Sequence, residues 1–392
     1  MMAAISASDK GAKVTIYEKT DRVGKKILAT GNGKCNLSNT NMELCNYYTE
    51  DKKKLSRCFK RFSSQDTVDF FEKQGMMIRS KDGYLYPYCE QASVVLDILR
   101  SSIARRGIEV FTAVENIAIF AKKNGKFVVE STLGKKEFDR VILACGSKAG
   151  VKNMTTEGLD YAKAFGHRII PVLPALVQVR CEGDFFKSVA GVRCKVKITL
   201  YSEKELLAKE QGELQLTDYG ISGIPVFQIS RVIAKQIHKR NKVEVEIDFL
   251  PDILAKDWEC FVKERVCQYH GYSCENFLTG ILHKKVSLML LKEFGLKPTD
   301  ILNQASEEKM YRLCKAMKEF RVIPKGVNSY EQAQVCCGGV DFAELDDTMQ
   351  SVYQPGLYMC GEMIDIDGKC GGYNLQWAWT SGYIAGVSAA VE

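Results

Sequence analysis

No apolar run in the 392 residues approaches the roughly eighteen needed to cross a bilayer, so no transmembrane helix is expected. The N-terminus lacks the charged-then-apolar layout of a secretory signal, and a cytoplasmic chain is the expectation. Fifteen cysteines are present, yet C-x-x-C spacing occurs nowhere, which removes support for structural zinc and thioredoxin-like redox chemistry. Thiols in such a chain are mostly buried small hydrophobes, as expected of Cys145 and Cys360 in apolar strands. Their number suggests a reducing, anaerobic host. Histidine is scarce: His167, His238, His270 and His283 form no ligand spacing, and no metal is expected. Zinc fingers, aromatic-interleaved RNA motifs, internal repeats and low-complexity linkers are missing too.

What is present has the balance of a globular protein: 46% hydrophobic, 26% charged and a formal net charge of +7. The length suggests two or three domains. The densest basic stretch, Lys52-Lys53-Lys54 with Arg57, Lys60 and Arg61, falls on an expected helix. A solvated helix face accounts for it better than nucleic-acid contact.

The start of the chain reads as the second half of a dinucleotide-binding unit. Small residues at helical spacing from Met1 to Ser8 suit a helix packed close to a sheet, closed by Asp9-Lys10-Gly11. The strand Val14-Thr15-Ile16-Tyr17 then ends in Glu18, an acid suited to ribose hydroxyls. The first half of such a unit, a β-strand with G-x-G-x-x-G, is not in this sequence. Counting back roughly twenty residues from Glu18 puts the last glycine of that fingerprint at or before residue 1. An in-frame strand and GGGxxG are therefore expected upstream of Met1.

Thr30-Gly31-Asn32-Gly33-Lys34-Cys35-Asn36 sets two glycines around an asparagine, with Lys25 and Lys26 just before. Such a loop could nest phosphate or flavin oxygens, and a plain turn reads equally well. Lys81-Asp82-Gly83 suggests a hairpin tip. A helical pattern over 94–106 precedes strand-like runs at 108–114, 116–121 and 126–131, with Asn124-Gly125 as a turn. Phe138 to Gly146 then reads as a buried parallel strand ending in glycine, and this order is the layout of a two-nucleotide flavoprotein domain.

From Pro171 to about Leu250 the pattern is β-rich, and the turn Thr217-Asp218-Tyr219-Gly220-Ile221-Ser222-Gly223-Ile224-Pro225 leads into an apolar helix. Pro251 opens a helical block in which Cys260, Cys267 and Cys274, seven residues apart, suggest a core stripe. The expected fold class is α/β. A discontinuous Rossmann-like domain (1–170 and 335–392) would carry an inserted β-rich substrate or cap domain (171–250 and 320–334), which would hold a helical insert (251–319).

Residues 356–386 carry the most chemistry. Glu362 and Asp365 lie in a glycine-rich segment that runs through Gly371-Gly372-Tyr373-Asn374 into an apolar, aromatic helix. Glycines let main chain approach a flat cofactor, carboxylates accept from hydroxyls, and a helix N-terminus offers free N–H groups. A glycine-rich turn before a buried helix is the plainer alternative.

Three motifs together go further: EKTDRVGKKILATGNGKCNLSN at 18–39, QAQVCCGGV at 332–340 and GLYMCGEMIDIDGKCGGYNLQWAWTSG at 356–382. In this order and spacing, over nearly the whole chain, the sequence resembles the BaiN/RdsA family of FAD-dependent oxidoreductases, which has a glutathione-reductase-like flavin fold. The resemblance implies bound FAD, with Glu18 on the adenosine ribose and the Val114 backbone toward adenine. Lys26, Gly31, Asn32, Cys35 and Asn36 would lie along the pyrophosphate and flavin, and Ala144, Cys145 and Gly146 past the cofactor's middle. Gly361, Glu362 and Asp365 are further cofactor candidates, with Glu362 facing the ribityl chain. Gly372, Tyr373, Asn374 and Leu375 would aim backbone N–H groups at the pyrimidine edge, where a reduced flavin gathers negative charge.

Two departures stand out. The family's THxGxSGP turn here reads TDYGISGIP, with Asp218 where a histidine is usual and Ile224 added before the proline, so a proton-transfer role for that histidine does not carry over. The GGGxxG is the other. Members of the family are associated with reduction of activated C=C bonds in 3-oxo bile-acid intermediates, and others with oxidation of small amino-ketones. Reduction of a small hydrophobic, steroid-like substrate is the expectation, with the inserted domains covering the flavin. NAD(P)H would be a transient donor, because no second G-x-G-x-x-G is visible. No catalytic residue is assigned; Tyr219 and Tyr373 are candidate proton donors that also read as packing tyrosines. The rival expectations are an amino-ketone oxidase releasing hydrogen peroxide, and a non-enzymatic flavoprotein binding RNA through 52–61.

Overall fold

Short strands rich in β-branched and aromatic residues pair parallel in the N- and C-terminal parts of the chain. The computed structural model describes residues 1–150 and 156–391. In it Thr15–Tyr17 pairs parallel with Glu109–Phe111, and Val141–Leu143 pairs parallel with Leu357–Met359. The meander is present as Ala118–Ala121, Phe127–Ser131 and Gly134–Phe138. Ile78–Lys81 and Tyr84–Pro87 form the expected hairpin, with Asp82 and Gly83 both at positive φ (+52° and +85°) as a tight two-residue turn requires. These elements belong to the first of two units, Met1–Leu173 with Gln334–Glu392; the second is Pro174–Ala333.

At the centre of the first unit is the helix Tyr373–Val391, apolar around its circumference rather than striped, as expected of a helix buried along most of its length. Met2–Ser8 lies along it. A Cβ on Gly386 would collide with the backbone of Ala3, so the small residues of the first helix serve a close helix–helix contact. The core on one side gathers Phe127, Leu357, Tyr358, Trp377 and Ile384. On the other side it gathers Phe71, Leu96, Leu99 and Trp379.

The second unit is a seven-stranded antiparallel sheet in the order Phe320–Val322, Val243–Asp248, Arg193–Ser202, Glu205–Leu216, Gly220–Ser222, Val179–Cys181, Pro324–Val327. Pro225 opens the helix Ile224–His238, where its missing N–H costs nothing. The helices of the 251–319 stretch share one core with this sheet: Trp258, Val262, Leu290 and Leu313 join Ile198, Val245 and Ile233. The expected cysteine stripe is not there. The helix Ala255–Gln268 exposes Cys260 and Cys267, and Cys274 is buried at the start of the next helix, so the heptad spacing does not run along one face.

Candidate functional site

In parallel α/β sheets ligands gather beyond the carboxyl ends of the strands. Three such ends in the first unit lead to residues singled out in the sequence. Thr15–Tyr17 leads to Glu18, whose Oε1 accepts from Thr20 N–H (2.8 Å) and whose carbonyl accepts from Val114 N–H (3.0 Å). Val114 has thus spent its N–H, and its carbonyl is the group left to meet a ligand. Val141–Leu143 leads to Gly146 and Ser147, and Leu357–Met359 to Gly361 and Glu362.

Gly146 and Gly361 have φ of +71° and +75°, and among the described residues, chain neighbours aside, no heavy atom lies within 4 Å of where a Cβ would stand at either. The backbone is held in a glycine conformation beside open space, as a surface approached by a ligand would be. Lys26 reaches this point from the helix Lys25–Ala29. Its ammonium donates to Glu362 Oε2 and to Ser147 Oγ (3.3 Å), and Ser147 Oγ donates to the same carboxylate oxygen (2.9 Å). A cleft beside this triangle is lined by Gly146, Ser147, Gly158, Gly338, Gly339 and Glu362. Asp365 is held to one wall of this cleft. Its Oδ1 accepts from Gly338 N–H (2.9 Å), fixing the strand Val335–Val340 against the segment.

The Gly31–Asn36 loop is divided. Gly31 and Asn32 are left-handed (φ +55° and +53°) and exposed, open to solvent or a ligand. Cys35 is buried, and desolvation pushes its thiol up to about 11, so only its backbone could serve a ligand. The Asn36 amide donates to the Ser38 carbonyl (2.8 Å) and accepts from Gly372 N–H (3.2 Å). Gly372 is confined: a Cβ there would strike the Ser38 carbonyl.

The start of the C-terminal helix carries both scaffold and opportunity. Asn374 clasps Gly368, accepting its N–H at 2.8 Å and donating to its carbonyl at 2.9 Å. The first bond of the helix is from Gln376 N–H to the Gly372 carbonyl (2.9 Å). The N–H groups of Tyr373, Asn374 and Leu375 therefore have no partner within the helix and give its N-terminus anion-binding character. The Tyr373 hydroxyl accepts from Asn46 Nδ2 (3.1 Å), its carbonyl accepts from Tyr47 hydroxyl (2.9 Å), and burial raises its phenol pKa. That is a packed tyrosine. Tyr219 lies in the other unit, so no single unit brings the two candidate tyrosines together. Asp218 beside it is exposed, and so is Ile224.

Several residues that hold the site escaped sequence reasoning. Trp377 Nε1 donates to the Gly361 carbonyl (3.2 Å), and Ser381 Oγ accepts Gly361 N–H (2.9 Å), so two turns of helix grip one glycine. Gln376, fully buried, bonds Ser38, Ser63, Thr67 and Thr380 at 2.6–3.1 Å. Asn39 donates to the Gly371 carbonyl (3.0 Å), and the Tyr84 ring fills the place of a Gly371 side chain. Polar residues inside an otherwise apolar helix were the available signal, since each must find a partner when buried.

A strand-end acid, glycine openings at adjacent strand ends and a helix N-terminus with unspent donors are the parts of a Rossmann-type nucleotide site, and the residues present fit one. A family model described as HI0933-like protein Rossmann domain matches residues 1–388. The chain belongs to the HI0933-like Rossmann family. The BaiN/RdsA resemblance read from three motifs holds. Among curated relatives of this family member, a 3-dehydro-bile acid delta(4,6)-reductase from Clostridium scindens is 40% identical over 398 aligned residues, covering 100% of this chain and 96% of its own. Ribosomal RNA dihydrouridine synthases from Haemophilus influenzae and Escherichia coli are 27% and 29% identical, covering 99% and 98% of this chain and 95% and 93% of theirs. Of the solved structures, a 3-ketosteroid-delta4-(5alpha)-dehydrogenase from Rhodococcus jostii RHA1, in complex with 4-androstene-3,17-dione, superposes with a TM-score of 0.51 at 13% identity. It covers 100% of this chain and 94% of that one, a likeness of fold.

The basic helix Lys52–Arg61 is largely committed to its own unit. Lys54 is buried and donates to the carbonyls of Phe342 (2.6 Å) and Leu345, Lys52 donates to the Leu44 carbonyl (2.8 Å), and Arg57 grips Asp347 with two bonds (2.6 and 2.8 Å). Arg61 donates to the Asp347 carbonyl (2.6 Å). Four of its cations thus bind protein, which weakens any reading of it as a phosphate-binding face. Among the described residues no helix is long and apolar enough to cross a membrane.

Proposed function

We propose that this chain is a flavin-dependent reductase that saturates a C=C bond conjugated to a ketone in steroid acids of the bile-acid type, with FAD as its resident flavin and NAD(P)H as donor. The coarse class, a flavoprotein oxidoreductase, is supported by the family and by its full-length relative named for bile-acid delta(4,6) reduction. The observation that carries the reading is the convergence of the Lys26–Ser147–Glu362 triangle with two open glycine positions at adjacent strand ends.

FAD, when bound, supplies the hydride. The chain's own residues have definable roles. The free oxygen of Glu18 accepts from ribose hydroxyls, and the Val114 carbonyl accepts from the adenine amine. Gly31, Asn32 and the Cys35 backbone border the phosphates. Gly146 and Gly361 let the cofactor's middle pass, Glu362 accepts from ribityl hydroxyls while Lys26 balances its charge, and the Tyr373–Leu375 N–H groups face the pyrimidine edge.

Anaerobic incubation of the flavin-loaded protein with NADH and a 3-oxo-4,6-diene bile acid tests this. Loss of dienone absorbance is expected, and its absence defeats the reading. A burst of hydrogen peroxide from an amino-ketone under air would point instead to an oxidase.

A further inference from the structure

Val179–Cys181 is flanked in the sheet by Gly220–Ser222 and Pro324–Val327, and the ends of these three strands bring together side chains with unspent hydrogen-bonding capacity. Gly220 makes this possible. At φ +155° its Cα is pressed onto the neighbouring strand, where a Cβ would strike the Val179 carbonyl and stand 2.9 Å from Cys181 N. That close approach lets the preceding residue, Tyr219, lay its ring under the Arg180 guanidinium, 5.6 Å from the centroid. Asn328, 5% exposed, donates its Nδ2 to the Tyr219 hydroxyl oxygen at 2.9 Å.

The donor direction matters. Asn328 fills an acceptor site on the phenol and leaves the phenol proton to be given elsewhere. Arg180 is exposed, and among the described residues no carboxylate pairs with it. Gln178, across the ladder from Asn328, whose N–H it receives at 2.9 Å, has a buried Oε1 with no partner. Buried polar atoms are rarely left so, and an unmet acceptor on the residue opposite Asn328, two positions before Arg180, marks a place where a polar group is bound.

We infer that Arg180, Tyr219, Asn328 and Gln178 form a carboxylate-binding site within the Pro174–Ala333 unit. Arg180 and the Tyr219 O–H donate to the carboxylate, Asn328 holds the phenol in the donating orientation, and Gln178 Oε1 accepts from a water that also donates to the anion. The fixed positive charge selects an anion over a neutral ketone. The site deepens the function proposed above, on which it rests: it takes the acid end of a steroid acid and fixes which end of the molecule is recognised here.

The test compares 3-oxo-4-cholenoate with the matching 24-alcohol by equilibrium binding to the full-length, flavin-loaded protein, with dienone reduction followed separately. The acid is expected to bind about tenfold or more tightly than the alcohol, the worth of one charge-assisted contact. Arg180→Met is expected to erase that ratio, Tyr219→Phe and Asn328→Ala to reduce it, and all three to leave alcohol binding within about twofold. Flavin absorbance and circular dichroism report whether each variant folds. No preference for the acid, a preference that survives Arg180→Met, or equal loss for acid and alcohol would each overturn the site. Dienone loss without acid preference removes the site and keeps the reductase; an Arg180-dependent preference without dienone loss does the reverse.

Discussion

Lys26 and Glu362 stand 336 positions apart in sequence and meet as an ion pair, with Ser147 bonded to both. Their side chains are 27% and 14% exposed, so both charges are partly desolvated and each depends on the other. Lys26→Met strands the carboxylate and is expected to cost about 2 kcal/mol in urea unfolding. Glu362→Gln keeps an acceptor for Ser147 and should cost less. Both variants should retain less flavin on gel filtration. Equal stability of Lys26→Met and the parent would mean that the triangle is not a structural unit.

Gly386 and Gly382 offer a matched pair on the C-terminal helix. A Cβ at Gly386 meets the backbone of Ala3, which cannot rotate away, whereas at Gly382 the nearest atom is the Met2 Cβ at 3.3 Å. Alanine is intrinsically better than glycine in a helix by about 1 kcal/mol, so the sign reports the contact. Gly386→Ala is expected to destabilise by about 1–3 kcal/mol through overpacking, and Gly382→Ala to lie near neutral. Chemical denaturation of both variants decides it.

Those glycines also show what could be read from sequence. The strand-then-acid at Tyr17-Glu18, the strand-then-glycine at Leu143 to Gly146 and the glycine-rich run before Tyr373 were legible because each is a local pattern with a local cause. The roles of Gln376, Trp377, Ser381 and Ser147 were not, since each depends on a partner far along the chain. Cys260 and Cys267 misled for a related reason: a heptad interval reports a face only where that face is covered, and here it is not. The basic run at 52–61 reads as a solvated face, and Lys53, Arg57, Lys60 and Arg61 are exposed, but Lys54 is buried, a fact hidden until Phe342 and Leu345 are brought beside it.

The thiols should divide into two kinetic classes. Burial pushes Cys314 and Cys360 up to about 12 and Cys35 and Cys58 up to about 11, so they hold almost no thiolate at neutral pH. Cys45, Cys89, Cys260 and Cys267 are exposed. Brief alkylation of the native protein, read by peptide mass spectrometry, is expected to label those four and spare the buried four until denaturant is added. Early modification of Cys314 or Cys360 would contradict the packing around them.

His167 should give the fold a pH dependence of its own. Its ring is buried, with Nε2 2.7 Å from Ser351 Oγ, Nδ1 3.4 Å from Glu344 Oε2 and its centroid 5.1 Å from that of the Tyr353 ring. Desolvation lowers its pKa from 6.5, and the Glu344 carboxylate opposes that only in part. A base whose folded pKa is depressed takes up protons more readily when unfolded, so stability rises with pH across the interval between the two values. The contribution is complete above about 6.5 and is lost as pH falls toward the folded value. Asp341 and Asp347, held below 3.8 with arginine partners, lose theirs only at more acidic pH, which keeps the two windows apart. Urea unfolding between about pH 7.5 and about pH 5 should show a decline that His167→Gln makes shallower. If the variant declines as steeply as the parent, the slope belongs to another group.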